Sequence, residues 1–329
     1  VEGGRLTGSR HPGERRYLVQ RLERGESQML FGTHALFSEK VIYARLAWVV
    51  IDEQHRFGVD QREALAQKGE DAHLLLMTAT PIPRTLAMTL YGDLDVSTLK
   101  GMPPGRGDLT THWLRGPERR GLSKKLLPRL ERGEQVFWVC PRITGDAGGR
   151  TASAERRYEQ ALASDLAQFG VELAHGRIPA EERSYRLDRF RSGEVGLLVA
   201  TTVIEVGVDV PGATVMVIEN AERLGLAQLH QLRGRVGRGP KDSVCYLLGD
   251  KKAEKRLRLL EKSRDGFELA EADMETRGMG DLAGVRQSGA NLEGLGQEDV
   301  GLLILARELI RMEEGLGRMY VGQIGQVTP

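Results

Sequence analysis

Residues 48–55 read Trp-Val-Val-Ile-Asp-Glu-Gln-His. Four apolar residues run without a polar break into two adjacent carboxylates. A parallel strand covered on both faces has that pattern, because both sides of its pleat meet apolar neighbours. Open α/β sheets bind ligands beyond the carboxyl ends of their strands, so Asp52 and Glu53 fall where a ligand is expected. Asp52 suits a hydrated Mg²⁺, a hard cation that prefers a carboxylate and waters. Glu53 suits the orientation and deprotonation of an attacking water. The alternative is an ordinary strand-to-loop turn capped by acids.

Two further strands end in the same manner. His73 to Met77 runs into Thr78-Ala79-Thr80-Pro81, and Val195 to Ala200 runs into Thr201 and Thr202. Each delivers small hydroxyl residues to a strand end, where they bind phosphates or cap the helix that follows. Residues 228–238 read Gln-Leu-His-Gln-Leu-Arg-Gly-Arg-Val-Gly-Arg. On a helical turn Arg235 and Arg238 would share a face and converge on one anionic group. Gly234 and Gly237 leave that surface open. The alternative is a solvated basic turn.

Strand-like and helix-like stretches alternate on both sides of these blocks. In residues 1–100 the pattern predicts helix over Gly13–Arg24 and Arg62–Lys68, and extended chain at Gln28–Phe31, Leu46–Ile51 and Leu74–Met77. Gly101-Met102-Pro103-Pro104-Gly105-Arg106-Gly107 breaks every periodicity, as a hinge or an internal loop would. From 108 to 250 the alternation resumes. Strands are predicted at Leu109–Leu114, Gln135–Cys140, Val171–Ala174, Leu197–Ala200, Thr214–Ile218 and Val244–Leu248, with helices at Pro117–Arg132, Ser153–Phe169 and Ala180–Arg191. Strands alternating with helices argue for parallel sheets covered on both faces. The fold class is therefore α/β, two parallel-sheet domains followed over 251–329 by a helical segment that begins at Lys251–Leu260 and includes an amphipathic helix at Val300–Met312. Gly145–Arg150 is polar and glycine-rich and reads as a surface loop.

Composition adds little. A chain of 329 residues is long enough for two cores. Its 47 Lys and Arg nearly balance its 46 Asp and Glu, so a nucleic-acid surface must come from local arrangement and not from bulk charge. Cys140 and Cys245 are the only cysteines and form no Cys-x-x-Cys pair, which gives no sign of a disulfide framework or a zinc site. No apolar run reaches the length of a membrane span, and a cytoplasmic location is the default expectation.

The four blocks together resemble motifs II, III, V and VI of the superfamily 2 nucleic-acid helicases. The resemblance narrows on Ile51-Asp52-Glu53-Gln54-His55-Arg56-Phe57-Gly58-Val59, on Met77-Thr78-Ala79-Thr80-Pro81-Ile82-Pro83-Arg84-Thr85, and on Val217-Ile218-Glu219-Asn220-Ala221-Glu222-Arg223. These are similar to the bacterial ATP-dependent DNA helicase RecG family and to its relative, the transcription-repair coupling factor. Residues 273–289 resemble the segment called TRG that both families share. Leu224-Gly225-Leu226-Ala227-Gln228-Leu229 and the Val-Arg-Gln-Ser-Gly ending favour RecG.

The resemblance implies two RecA-like domains, the first incomplete, and ATP and Mg²⁺ as cofactors. It assigns Asp52, Glu53, Arg235 and Arg238 to catalysis, with Asp52 holding the metal through water, and Gln231, Gly207 and Asp209 to ATP. Gln54, His55, Thr78, Thr80, Arg256, Arg277 and Gln287 are implied to couple hydrolysis to movement. Thr7, Gly8, Thr33, His34, His175, Thr201 and Thr202 are implied to face DNA; for the two histidines a core or surface role is the alternative, and for Arg256 and Arg277, in the helical hairpin that the TRG resemblance implies, ordinary salt bridges. The implied partners are branched and double-stranded DNA such as forks and Holliday junctions, with single-stranded DNA-binding protein as a further candidate. A monomer in the bacterial cytoplasm, associated with the nucleoid and not with a membrane, is expected.

No stretch fits Gly-x-x-x-x-Gly-Lys-Ser/Thr, the loop that cradles β and γ phosphates. Gly116 and Gly121 are followed by Leu122 and lack the lysine. The family carries that loop, and a wedge domain before it, upstream of the strand end resembled by Leu6-Thr7-Gly8-Ser9. The expectation is that both precede Val1 and that this chain alone hydrolyses no ATP. The competing expectation is a DNA-binding module that keeps the fold without the reaction.

Overall fold

The computed structural model describes residues 2–8, 11–38, 40–53, 68–69, 72–79, 95–99, 101, 103–141, 152–202 and 210–277. These fall into two compact units, one through Ala79 and the other running on to Arg277. The predicted helices at Arg62–Lys68 and Val300–Met312 and the loop at Gly145–Arg150 lie outside the described residues, save Lys68.

The first unit has two parallel strand pairs. β1 (Gly3–Leu6) pairs with β2 (Met29–Gly32), and α1 (Pro12–Glu23) connects them. α1 opens with proline in its first turn, where a missing N–H costs nothing, and the His11 side chain accepts the Gly13 N–H at 3.3 Å. Leu6, Leu22 and Val41 close a small core beneath this pair. β3 (Trp48–Ile51) pairs with β4 (His73–Leu76) in the register Ile51 to Leu76.

β3 departs from the expectation of burial on both faces. Val49 and Ile51 are buried against Phe37, Tyr43, Leu46 and Leu74. Trp48 and Val50 remain 63% and 56% exposed. An apolar run shows that a strand can be covered on both sides, and among the described residues only one side has a layer over it.

The second unit is built on six parallel strands in the order β5-β10-β9-β6-β8-β7. They are β5 (Leu109–Leu114), β6 (Gln135–Val139), β7 (Val171–Ala174), β8 (Leu197–Ala200), β9 (Ala213–Ile218) and β10 (Ser243–Leu248). Every residue of β6, β8, β9 and β10 is buried. Alternate residues of β6 supply two cores: Phe137 and Val139 join Phe190, Met216 and Leu247 on one face, and Val136 and Trp138 join Leu126, Val199 and Val217 on the other. The helices are α2 (Gly116–Arg120), α3 (Leu122–Glu131), α4 (Ala152–Leu162), α5 (Ala180–Arg191), α6 (Leu226–Arg233), α7 (Glu254–Lys262) and α8 (Gly266–Arg277).

Two predicted helices prove to be interrupted. Pro117–Arg132 breaks at Gly121, and Ser153–Phe169 ends at Leu162 and resumes as a 3₁₀ turn at Asp165–Phe169. In the second case the Ser164 hydroxyl accepts the Leu166 N–H and starts the turn, a local competition that apolar spacing does not register.

Edge strand β5 is covered by α7. The Trp113 N–H donates to Glu261 Oε1 at 2.6 Å, and the guanidinium groups of Arg115 and Arg258 lie 5.0 and 5.4 Å from the Trp113 ring centre. An edge covered in this way is a poorer template for another chain. The chain enters β5 through Gly107, where a Cβ would stand 2.3 Å from the Lys241 carbonyl oxygen, so only glycine fits.

Candidate active site and nucleic-acid-facing edges

In the first unit the expected site residues collect at the carboxyl ends of the strand pairs. Thr7 and Gly8 follow β1 and Thr33 follows β2; the Thr33 N–H donates to the Leu6 carbonyl at 3.4 Å, which places both segments at one edge. His34 begins the 3₁₀ turn His34–Phe37. Asp52 and Glu53 follow β3, and Thr78 follows β4 after the Met77 N–H has bonded the Ile51 carbonyl at 2.8 Å. The structure thus brings the two carboxylates and Thr78 to the same edge. Gln54, His55 and Thr80 lie outside the described residues.

Glu53 has a φ of +50°, one of two non-glycine residues in the left-handed region among those described. That conformation costs about 1–2 kcal/mol for an L-residue. The Asp52 carboxylate offsets part of it, since its Oδ1 accepts the Glu53 N–H at 2.8 Å. Asp52 is exposed and Glu53 half-buried. One carboxylate is therefore open to water at the strand end and suits a hydrated hard cation.

In the second unit, Glu219, Cys140, Thr201 and His175 follow β9, β6, β8 and β7 and stand along one edge in the order of the strands. Thr201 is 1% exposed and its hydroxyl has no hydrogen-bond partner among the described residues; Thr202 is half-exposed. His175 is buried. Its Nδ1 accepts the Arg177 N–H at 3.2 Å and its Nε2 lies 3.5 Å from Glu155. Burial holds its pKa below the ordinary histidine value, against the pull of Glu155. Gly207 and Asp209 lie outside the described residues.

Glu219 had no assigned role in the sequence, yet it organises this edge. Its Oε1 accepts both the Trp138 indole N–H at 2.9 Å and the Arg157 Nε–H at 2.6 Å, while the Arg157 guanidinium lies 4.7 Å from the Trp138 ring centre. Burial, with the Glu219 charge beside it, pushes the Cys140 thiol well above its usual range. Cys140 is therefore a neutral core group.

The arginine pair is corrected in one respect. Arg235 and Arg238 are not on a helical turn, because α6 ends at Arg233 and Gly234 caps it. Gly237 follows with a φ of +73°, which ends any helical continuation. Both arginines are half-exposed on a turn, and Val236 between them is buried and anchors it. Gln231 lies on α6 itself.

Arg233, which sequence reasoning passed over as one more basic residue, is 3% exposed. Its Nη1 donates to the Leu260 carbonyl at 2.7 Å and the Ser263 carbonyl at 2.9 Å, and its Nη2 lies 2.8 Å from His230 Nδ1. Burial and the adjacent guanidinium push His230 down to about 4, so its ring is neutral near pH 7. Arg233→Ala strips two buried carbonyls of their donor and leaves a void, and is expected to cost about 2–5 kcal/mol. Urea unfolding of this chain followed by tryptophan emission checks it, and an unshifted midpoint would show the contacts to be dispensable.

Among the expected coupling residues, Arg256 on α7 donates through Nη2 to the Glu222 carbonyl at 2.5 Å and approaches Asp273 on α8 to 4.0 Å. Arg277 is the last residue of α8, and Gln287 lies outside the described residues. No helix among the described residues is long and apolar enough to cross a membrane.

Two family models match this chain. Residues 5–89 match the family DEAD/DEAH box helicase, and residues 119–240 match the helicase conserved C-terminal domain. The ATP-dependent DNA helicase RecG of Acidithiobacillus ferridurans is 49% identical over 293 residues, 88% of this chain and 43% of that protein. The Synechocystis protein of the same name is 46% identical over 308 residues, 92% of this chain and 37% of its own length. The solved structure of RecG bound to a three-way DNA junction superposes with a TM-score of 0.73 at 40% identity, covering 94% of this chain and 40% of that one. The chain thus spans about two fifths of the length of these relatives, with both parallel-sheet units of the RecA-like type. Across the residues it spans, this chain belongs to the RecG family.

Proposed function

We propose that this chain is the motor portion of an ATP-dependent helicase that moves on double-stranded DNA and remodels stalled forks and branched recombination intermediates. The observation that carries this reading is the gathering of Asp52, Glu53 and Thr78 at one strand edge, in a chain whose relatives are named ATP-dependent DNA helicases. The relative solved with a three-way junction supports branched DNA as the partner.

In this reading Glu53 accepts the proton of the attacking water. Its positive φ turns the backbone out of the extended line of β3, and the Asp52 bond to its N–H holds that turn. Arg235 and Arg238 stabilise the charge that develops on the transferred phosphoryl group, which planar, permanently charged donors do without proton transfer. Asp52, exposed and acidic, would hold Mg²⁺ through water, and the ion when bound neutralises phosphate charge. Gln231, Gly207 and Asp209 would contact the nucleotide. Thr7, Gly8, Thr33, His34, Thr202 and the edge carrying Thr201 and His175 would meet the DNA backbone without reading sequence. Gln54, His55, Thr78, Thr80, Arg256, Arg277 and Gln287 would transmit the nucleotide state to the DNA. A monomer in the bacterial cytoplasm, with single-stranded DNA-binding protein as a further partner, completes the proposal.

One observation favours a second reading. The 329 residues contain no phosphate-loop pattern, so a polypeptide consisting of these residues alone would bind DNA without hydrolysing ATP. The two readings separate in the complete gene product that carries this chain. Arg277→Ala is expected to leave DNA-stimulated hydrolysis within about threefold of the parent and to reduce fork remodelling at least about a hundredfold, as loss of a transmitting contact should. Parallel loss of both activities would count against transmission through Arg277. A parent protein that binds forks and never hydrolyses ATP would support the second reading.

A further inference from the structure

We propose that Asp273 is a positioning residue for the arginine turn, capping from the hairpin the helix that leads into Arg235 and Arg238. The inference rests on the function proposed above and adds a residue to it.

α6 has eight residues, a length that is not helical by itself in water. Its N-cap is Gly225, which has no side chain to receive the first helical N–H groups. The Gly225 N–H is met by Gln228 Oε1 at 3.3 Å from within the helix. The Leu226 N–H is met from α8, by Asp273 Oδ2 at 2.8 Å. Asp273 is 2% exposed, so this is a buried carboxylate at the positive end of a helix, and charge as well as hydrogen bonding favours it there.

The hairpin holds the segment at three further points. Arg256 on α7 lies 4.0 Å from Asp273 and donates to the carbonyl of Glu222, in the 3₁₀ turn Ala221–Arg223 that precedes α6. Arg233, the last residue of α6, donates to the Leu260 and Ser263 carbonyls at the end of α7. Both ends of α6 are therefore tied to the hairpin, and Arg235 follows two residues after the second tie. A displacement of α7 and α8 carries α6 with it as one body. Without Asp273 the Leu226 N–H in the first turn of α6 loses its acceptor, and the N-terminal side of α6 is left with the Arg256 bond to the Glu222 carbonyl.

The test uses the complete gene product, with Asp273→Ala, Asp273→Asn and, as a control on the exposed hairpin surface, Arg264→Ala. Steady-state ATP turnover on branched DNA is resolved into kcat and KM, and fork remodelling is counted per ATP consumed. Asp273→Ala is expected to lower kcat by about three- to thirtyfold, the factor to which a lost helix cap converts, with KM for ATP little changed. Asp273→Asn keeps an acceptor for the Leu226 N–H and is expected to recover most of kcat; Arg264→Ala is expected to match the parent. Hydrogen exchange at the amides of 226–229 should quicken in Asp273→Ala and much less in Asp273→Asn.

Parental kcat in Asp273→Ala, with parental remodelling per ATP, would overturn the proposal. So would a pure loss of folded protein at unchanged kcat per folded molecule, since a merely structural residue behaves that way. If Asp273→Ala does not fold, Asp273→Asn decides: parental exchange and kcat support the cap, and a kcat loss without faster exchange refutes it. A parent protein without DNA-stimulated turnover would refute the function proposed above and not the role of Asp273, which the exchange measurement reads independently.

Discussion

Arg238→Ala in the complete gene product is expected to reduce DNA-stimulated ATP turnover by about 10³–10⁵-fold, the range over which an arginine finger acts in known NTPases. The side chain follows a turn fixed by buried Val236 and by the positive φ of Gly237, the two residues just before it. A donor held in place ahead of the reaction is the condition under which such a group acts strongly. Arg238→Lys should not restore the rate, because an ammonium cannot reproduce the planar fork. ATP affinity, measured with a fluorescent nucleotide, should change far less than kcat. Turnover within about threefold of the parent would remove Arg238 from the chemistry.

Glu53→Gln is the second large effect. The amide keeps the size and polarity of the side chain and removes its ability to take a proton, so hydrolysis should fall by about 10²–10⁴-fold while nucleotide binding persists. The local backbone should survive, because the bond that holds the turn runs from the Glu53 N–H to Asp52 and does not involve the Glu53 side chain. Rapid-quench measurement of a single turnover separates the two quantities. Normal cleavage in that variant would assign the base elsewhere.

Much of this was legible in the residues. The continuous apolar runs of β6, β8 and β9 gave a parallel sheet buried on both faces, and the strand bounds at 109–114, 171–174 and 197–200 agree with the structure. The run at 48–51 was the same signal with a different outcome, since apolarity alone does not say whether a second layer exists to cover Trp48 and Val50. The arginine run showed charge and glycine but not conformation: three-residue spacing suits a helix, and Gly237 at positive φ overrules it. Arg233 was unreadable because its three basic neighbours in sequence look alike, and only the distant carbonyls of Leu260 and Ser263 distinguish it. Asp273 was hidden for the same reason. Its partner, Leu226, lies 47 residues away and offers a backbone N–H, which no side-chain pattern announces.

The covered edge of the second sheet also governs how that unit is made. Among the described strands of the unit β5 is the first to leave the ribosome, but it pairs with β10 alone, and the backbone N–H of Asp108 just ahead of it meets the Asp242 carboxylate across 134 residues. The Trp113 N–H waits still longer, for Glu261, 148 residues downstream. β6 can gather β8, β7 and β9 during synthesis, whereas β5 stays an unpaired strand until nearly the whole unit has been translated. Such long-range closure is slow, and the nascent chain passes through an interval in which chaperone capture and misassociation compete with completion of the sheet.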